Sequence, residues 1–412
     1  MNTSTKRWLI AVMSTLVHLG LGTVYAWSFF QNGISESFGW SNSETAWAFS
    51  ISIFMLGITA SWGGQKLDKY GPKKLAITGV VLYALAYIIS YFALKFQILI
   101  LLYFGFGIVG GIGLGLAYVT PVATVSKWFP DKQGLVTGMV VMGFGLGALL
   151  MSKLMAPLFL SAFGNDLTKA FLAIGISFLV LLPIFAMFLS LPEEAKPKGS
   201  NEFTEKIKIF PIIKSRCFIL IWLVFMFNVI AGMIFISFQS PLLQDLLYSK
   251  DGSLSTEVLA ASGATLIGVS ALFNGLGRFF WGSLSDKIGR INTFRSLLII
   301  ELAIFIMLIF VKSPIVFSIG VCVVLLNYGG GFGVLPSLIK DYFGTVLMPA
   351  VYGAALTAWS IGGIIGPQII AYMKDNYAES AGTQAYKIAI VFIGIGIILS
   401  FFIKKENFNV EK

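Results

Sequence analysis

Hydrophobic stretches of bilayer-spanning length recur twelve times along this chain. A helix needs about 20 consecutive apolar residues to cross the hydrocarbon core. Segments at roughly 8–32, 43–65, 72–94, 97–123, 133–160, 168–191, 216–242, 257–284, 292–312, 314–339, 347–373 and 383–404 meet that requirement. Only 12% of residues are charged, against about 25% in soluble domains. The pattern predicts an all-α membrane protein with twelve transmembrane helices. One long polar stretch, residues 192–215, separates six helices (1–191) from six more (216–412). Its second half mixes Lys with Ile and Phe, as a segment lying along a membrane surface does. The opening MNTSTKRW runs into an apolar stretch without an Ala-x-Ala-like cleavage site, so it reads as a retained first helix rather than a signal peptide.

The net charge of +10 would suit a nucleic-acid partner in a soluble protein. Here the distribution of Lys and Arg accounts for it. An even number of spans puts Lys6, Arg7, Lys66, Lys69, Lys73, Lys74, Lys127, Lys132, Lys287, Arg290, Arg295, Lys340, Lys404 and Lys405 on one side. Scattered lysines such as Lys95, Lys169, Lys250, Lys312, Lys374 and Lys387 fall on the other. The positive-inside rule makes both termini cytoplasmic, in a cytoplasmic (cell inner) membrane. Cys217 and Cys322 lie far apart in or beside apolar segments and suggest neither a disulfide framework nor a metal site. There is one histidine, no Walker-type phosphate loop and no nucleophile with a base. An enzyme and an ATP-driven pump are thereby disfavoured, no cofactor is expected, and any transport runs on gradients.

The two halves repeat each other. Residues 63–74 read GGQKLDKYGPKK and residues 281–292 read WGSLSDKIGRIN. Gly64, Asp68, Lys69 and Gly71 match Gly282, Asp286, Lys287 and Gly289 at constant offset. After the fourth helix stands KWFPDKQG, and after the tenth KDYFG, with Phe129 matching Phe343. A two-halved carrier built this way holds its substrate between the halves near the midplane and rocks them about it.

Arg278 sits in the middle of the eighth apolar segment. A guanidinium at that depth costs about 2.5–3.5 kcal/mol on insertion scales. It is retained where a buried partner, a watery cavity or an anionic ligand offsets the cost. A guanidinium can hold one carboxylate bidentately. The structural alternative is an arginine that caps backbone carbonyls between helices.

The repeated turns resemble those of the major facilitator superfamily, whose loop after helix 2 reads roughly G-x-x-x-D-[RK]-x-G-[RK]-[RK]. A finer resemblance is to the oxalate:formate antiporter family, relatives of the monocarboxylate transporters. It rests on Tyr25-Ala-Trp27, on KWFPDKQG at 127–134, on Asn274-Gly-Leu-Gly-Arg278 with Trp281-Gly, on Pro336 and on Tyr352-Gly353. The resemblance implies two pseudo-symmetric six-helix bundles working by alternating access. It implies that Arg278 pairs with substrate carboxylate and that Tyr25, Tyr118, Tyr328 and Phe332 line the site. Two departures bear on substrate. The oxalate carrier has a lysine seven residues after the Tyr of its Tyr-Gly pair, where this chain has Trp359. The monocarboxylate transporters place an Asp one turn before the helix-8 arginine, where this chain has Asn274.

One cation neutralises one carboxylate, and a second carboxylate would be poorly compensated in a low-dielectric cavity. The expected substrate is therefore a small monocarboxylate such as pyruvate, lactate, acetate or formate, moved by proton symport or anion exchange in a monomeric carrier. Phe332 and Trp359 are expected to close the site, and Asn274 to orient the guanidinium. The tyrosines and Trp359 read equally as helix packing. His18, about ten residues into the first helix, is either a proton carrier or a neutral hydrogen-bonding residue between helices. Lys153 is either a snorkelling cation or an outer guide for anions. Glu301 has no obvious partner in sequence and is assigned no role. Asp68, Lys69, Asp286, Lys287 and Arg290 are expected to latch the cytoplasmic seam, a carboxylate capping a helix N-terminus of the opposite half. Their plain alternative is turn formation and topology. The glycines 107, 111, 115, 143, 145 and 147 are expected to serve helix packing. Rival functions are oxalate:formate exchange, an anion sensor that does not transport, and a cationic drug exporter, which would want a buried carboxylate near its site.

Overall fold

The computed structural model describes residues 3–129, 133–192, 209–377 and 380–405. Lys132 and most of the 192–215 linker lie outside them. Among the described residues twelve helices are long and apolar enough to cross a membrane: α1 Thr5–Phe38, α2 Asn42–Leu67, α3 Pro72–Lys95, α4 Leu99–Trp128, α5 Val136–Ala162, α6 Leu167–Ala186, α7 Arg216–Lys250, α8 Thr256–Ile288, α9 Arg290–Phe310, α10 Pro314–Gly344, α11 Ala350–Tyr377 and α12 Ala381–Ser400. Each coincides with one of the twelve apolar segments.

The ends differ from hydropathy in both directions. The helix α1 passes the expected end at 32 and stops only at Gly39, which takes a left-handed φ of 68°. The helix α6 stops at Ala186 although Met187, Phe188 and Leu189 are still apolar. Capping decides where a helix ends, and an apolar count does not register it. Among the described residues α11 is interrupted by a turn at Leu356, and α1, α4 and α5 depart from α geometry internally. A 3₁₀ turn over Gly22–Ala26 tightens α1. Wider π-helical segments interrupt α4 at Tyr103–Val109 and α5 at Met151–Met155.

The repeated turns have repeated geometry. Gly71 between α2 and α3, and Gly289 between α8 and α9, take φ of 77° and 86°. This is the region that side-chain-bearing residues avoid, so each motif ends on the glycine its turn requires. We call the side of the molecule carrying these turns the turn face, and the other the distal face.

Glycines set how closely the helices approach. In α4, Gly107, Gly111 and Gly115 lie against Ile51, Met55 and Leu56 of α2. In α5, Gly143 and Gly147 face Thr15 and Gly22 of α1, while Gly145 meets Gly275 of α8 across the two halves. A second crossing between the halves sets Gly57 of α2 against Ser360 of α11, and Gly363 of α11 against Ile53. Within the second half, α8 and α10 touch backbone to backbone. A Cβ on Gly329 would overlap the Asn274 carbonyl oxygen, and one on Gly333 the Arg278 carbonyl oxygen. Asn274 and Arg278, one turn apart on α8, are thus pinned to α10 by two glycines one turn apart.

Candidate functional site

The site is built around Arg278, which α8 carries into the interior at 4% exposure. Its guanidinium carbon lies 5.2 Å from the Phe332 ring centroid and 5.9 Å from that of Phe144. Nε, Nη1 and Nη2 have no hydrogen-bond partner, and no carboxylate pairs with them among the described residues. The reading of Arg278 as a cap on backbone carbonyls is therefore not what the structure contains.

The predicted aromatic residues converge on this cation. Tyr25, Tyr118, Tyr328, Phe332 and Trp359 are all buried. The Trp359 ring sits 4.7 Å from Phe332 and 5.3 Å from Tyr118, both edge-on. Tyr328 lies 5.1 Å from Phe332. Tyr25 from α1 and Tyr328 from α10 join their hydroxyls across the halves at 2.6 Å. The 3₁₀ turn in α1 is the local device that presents Tyr25. It narrows the helix where Gly22 meets Gly147. Two further donors in the cluster complete no hydrogen bond of full geometry: the Tyr118 hydroxyl, which faces Arg278, and the Trp359 indole Nε1, which faces Tyr328.

Phe144 was not singled out in the sequence, yet it joins the cluster. Its ring stands perpendicular to Tyr25 and Tyr118, at 5.0 and 5.1 Å. The available signal was its setting, an aromatic between Gly143 and Gly145, where a close helix crossing leaves room for one large side chain.

Three secondary candidates fall as follows. Asn274 is buried, but it makes no hydrogen bond to Arg278, and its Oδ1 has no partner. The expected orienting contact is absent, and the α8–α10 crossing holds Arg278 instead. His18 hydrogen-bonds the Tyr118 carbonyl through Nε2 at 2.8 Å and stacks on that residue's ring at 5.0 Å, tying α1 to α4. Lys153 is exposed and donates to Thr265 Oγ1 at 2.5 Å, bridging α5 and α8.

The charged turn residues pair within one half. Arg290 contacts Asp286 at 2.5 Å and Asp341 at 3.3 Å, and it also donates to Ser285. All four belong to the second half, so this network does not cross the seam. Lys287 is exposed, Lys69 lies over the Tyr70 ring at 5.4 Å, and the Asp68 side chain lies outside what is described. Among the described residues, a carboxylate fastens the halves on the distal face. Asp375 at the end of α11 accepts from the Asn42 and Ser43 backbone N–H groups at 2.9 and 2.8 Å, and from Asn42 Nδ2 at 3.0 Å. A carboxylate of one half thus caps a helix N-terminus of the other, as expected in kind, but by a different residue and at the opposite face. Nearby, the Ser240 N–H of α7 donates to Ser28 Oγ of α1 at 2.9 Å.

The pattern of the Major Facilitator Superfamily matches residues 10–367. The chain belongs to that superfamily. It is a multi-pass membrane transporter and not an enzyme. Its similarity to the oxalate:formate antiporter of Oxalobacter formigenes is 26% identity over 378 residues, 90% of this chain and 86% of that one. To the apicoplast pyruvate carrier 1 of Toxoplasma gondii it is 25% identical over 407 residues, covering 83% and 71% of the two chains. The crystal structure of the nucleoside transporter NupG shares the fold with a TM-score of 0.72 at 12% identity, covering 97% of this chain and 98% of that one. The two pseudo-symmetric six-helix bundles anticipated from the repeated turns are those of this fold.

Proposed function

We propose that this protein carries a small monocarboxylate, of the size of pyruvate, lactate or formate, across the cytoplasmic membrane by alternating access. One observation supports the reading: a buried guanidinium whose nitrogens complete no hydrogen bond and meet no carboxylate among the described residues, enclosed by aromatic rings, with the Tyr118 hydroxyl beside it and the Trp359 indole N–H in the same cluster. An anion with one carboxylate satisfies the guanidinium, and the two neutral donors suit a second oxygen on the same small molecule. Water exclusion by Phe144, Phe332 and Trp359 strengthens the ion pair.

A dicarboxylate is disfavoured because no second cation joins the cluster among the described residues. Lys153 bridges α5 to α8 elsewhere, and Trp359 fills the α11 position. The similarity to an oxalate:formate antiporter keeps dicarboxylate exchange as the second reading. In our scheme the bundles 1–191 and 216–412 rock about the site, with 192–215 as a cytoplasmic connection and both termini cytoplasmic. Asp375 fastens the distal face. Asp68, Lys69, Asp286, Lys287 and Arg290 are the charges available to fasten the turn face when the distal one opens. His18 serves as a hydrogen-bonding residue that fixes α4 to α1. The testing experiment is uptake of labelled pyruvate, lactate and oxalate into proteoliposomes. Saturable entry of a monocarboxylate in preference to oxalate supports the reading, and entry of oxalate alone refutes it.

A further inference from the structure

The second half also buries a carboxyl group outside the aromatic cluster. Glu301, near the middle of α9, is 0% exposed. Among the described residues no cation pairs with it. Oε1 accepts from Asn228 Nδ2 of α7 at 2.7 Å, and Oε2 has no partner. A carboxylate in such surroundings is costly unless a positive charge within the same interior offsets it, and taking up a proton removes that cost.

Its single hydrogen bond leads toward the substrate site. Asn228 Nδ2 also reaches the Asn327 carbonyl of α10 at 3.5 Å. Asn327 Oδ1 accepts from Trp281 Nε1 at 3.1 Å, and Trp281 is one turn beyond Arg278 on α8. Asn228 Oδ1, itself unpartnered, occupies the space that a side chain on Gly331 would fill, next to Phe332. The Phe225 ring, one turn before Asn228 on α7, stands 5.0 Å from Phe332. A bridge kept only for packing would satisfy both ends. This one leaves Oε2 and Asn228 Oδ1 open, as suits a group whose hydrogen bonding changes during function.

We propose that Glu301 is the proton site of this carrier, loaded together with the anion on Arg278. The proposal rests on the monocarboxylate reading above. Its logic is charge balance in a low-dielectric interior. With neither ligand bound, the Glu301 carboxylate offsets the Arg278 guanidinium. With both bound, the substrate carboxylate offsets Arg278 and Glu301 is the neutral acid. Binding only one of the two leaves a net buried charge and disfavours reorientation. One proton therefore enters with one monocarboxylate, and both are released on the other side. The buried titratable side chains on the helices packed against α9 are Cys217 of α7, Arg278 of α8, Cys322 and Tyr328 of α10 and Tyr386 of α12. The group hydrogen-bonded to Glu301 is Asn228, so the carboxyl is not shared with any of them.

The test uses wild type, Glu301→Gln and Glu301→Asp in proteoliposomes, read by two assays. Counterflow exchanges labelled for unlabelled pyruvate without a pH gradient. Driven uptake accumulates pyruvate under an imposed inward proton gradient. For Glu301→Gln we expect counterflow within about twofold of wild type and at least a tenfold loss of driven accumulation. For Glu301→Asp we expect driven uptake to persist with a shifted pH profile. Undiminished driven accumulation in Glu301→Gln overturns the proposal. If the Gln variant does not fold, an unshifted profile in Glu301→Asp overturns it equally. Absence of pyruvate counterflow in wild type is a different result, which overturns the substrate reading and the proposal with it.

Discussion

Replacing Arg278 separates an anion site from a structural residue because the two roles move stability in opposite directions. In Arg278→Gln the proposed substrate carboxylate loses the cation that would hold it. Breaking a buried ion pair by removing one partner costs about 3–5 kcal/mol, which is roughly 10²–10⁴-fold in Kd. Arg278→Lys keeps the charge but loses the fork that grips two oxygens. One charge-assisted hydrogen bond is worth about 1.5–3 kcal/mol, so the loss is roughly 10–10²-fold. The substrate-free protein responds differently. Its guanidinium completes no hydrogen bond at 4% exposure, and removing it relieves an insertion cost of about 2.5–3.5 kcal/mol while Glu301 stays neutral by taking a proton. The Tm of purified Arg278→Gln should equal or exceed that of wild type, while stabilisation by added pyruvate should vanish. Thermal unfolding with and without pyruvate, alongside uptake, reads both. A variant with lowered Tm and intact pyruvate stabilisation would refute the assignment and make the arginine a structural element.

Further substitutions test neighbouring claims. Trp359→Lys supplies a second cation beside Arg278 and should shift preference toward oxalate by at least about tenfold in competition for uptake; unchanged selectivity would remove Trp359 from the site. Asp375→Asn weakens the charged cap on Asn42 and Ser43 by about 1 kcal/mol. Cysteine labelling between α1 and α7 at the distal face should then become severalfold faster, and equal labelling rates would show that Asp375 holds nothing. Gly333→Ala forces a methyl group into the Arg278 carbonyl and should cost about 1–3 kcal/mol or more. The expected result is a fall in Tm together with loss of uptake, whereas wild-type behaviour would mean that the α8–α10 contact is not tight.

The twelve helices were legible because each carries a bilayer's length of apolar residues, a property that needs no tertiary information. The repeated turns were legible for a similar reason, since a left-handed φ recruits glycine at Gly71 and Gly289. Arg278 stood out because charge at membrane depth is costly. What stayed hidden depends on pairings distant in sequence. Asp375 reads as an ordinary charge at a helix end until α11 is set beside α2. Glu301 has no partner within α9, and only the approach of α7 supplies Asn228. Phe144 is one apolar residue among many until the 3₁₀ turn in α1 brings Tyr25 against it. Asn274 and Arg278 form no hydrogen bond because two helix neighbours one turn apart need not touch when a backbone crossing already fixes one of them.

The hydroxyl bond between Tyr25 and Tyr328, at 2.6 Å, has a kinetic consequence. Those hydroxyls belong to different halves, and under the proposed function each would face the ligand. A substrate oxygen that recruits either of them competes with the bond that joins the bundles. Loading then loosens the clasp that an empty carrier keeps closed. The full protein should reorient faster than the vacant one, and labelled substrate should leave vesicles sooner when unlabelled substrate waits on the far side.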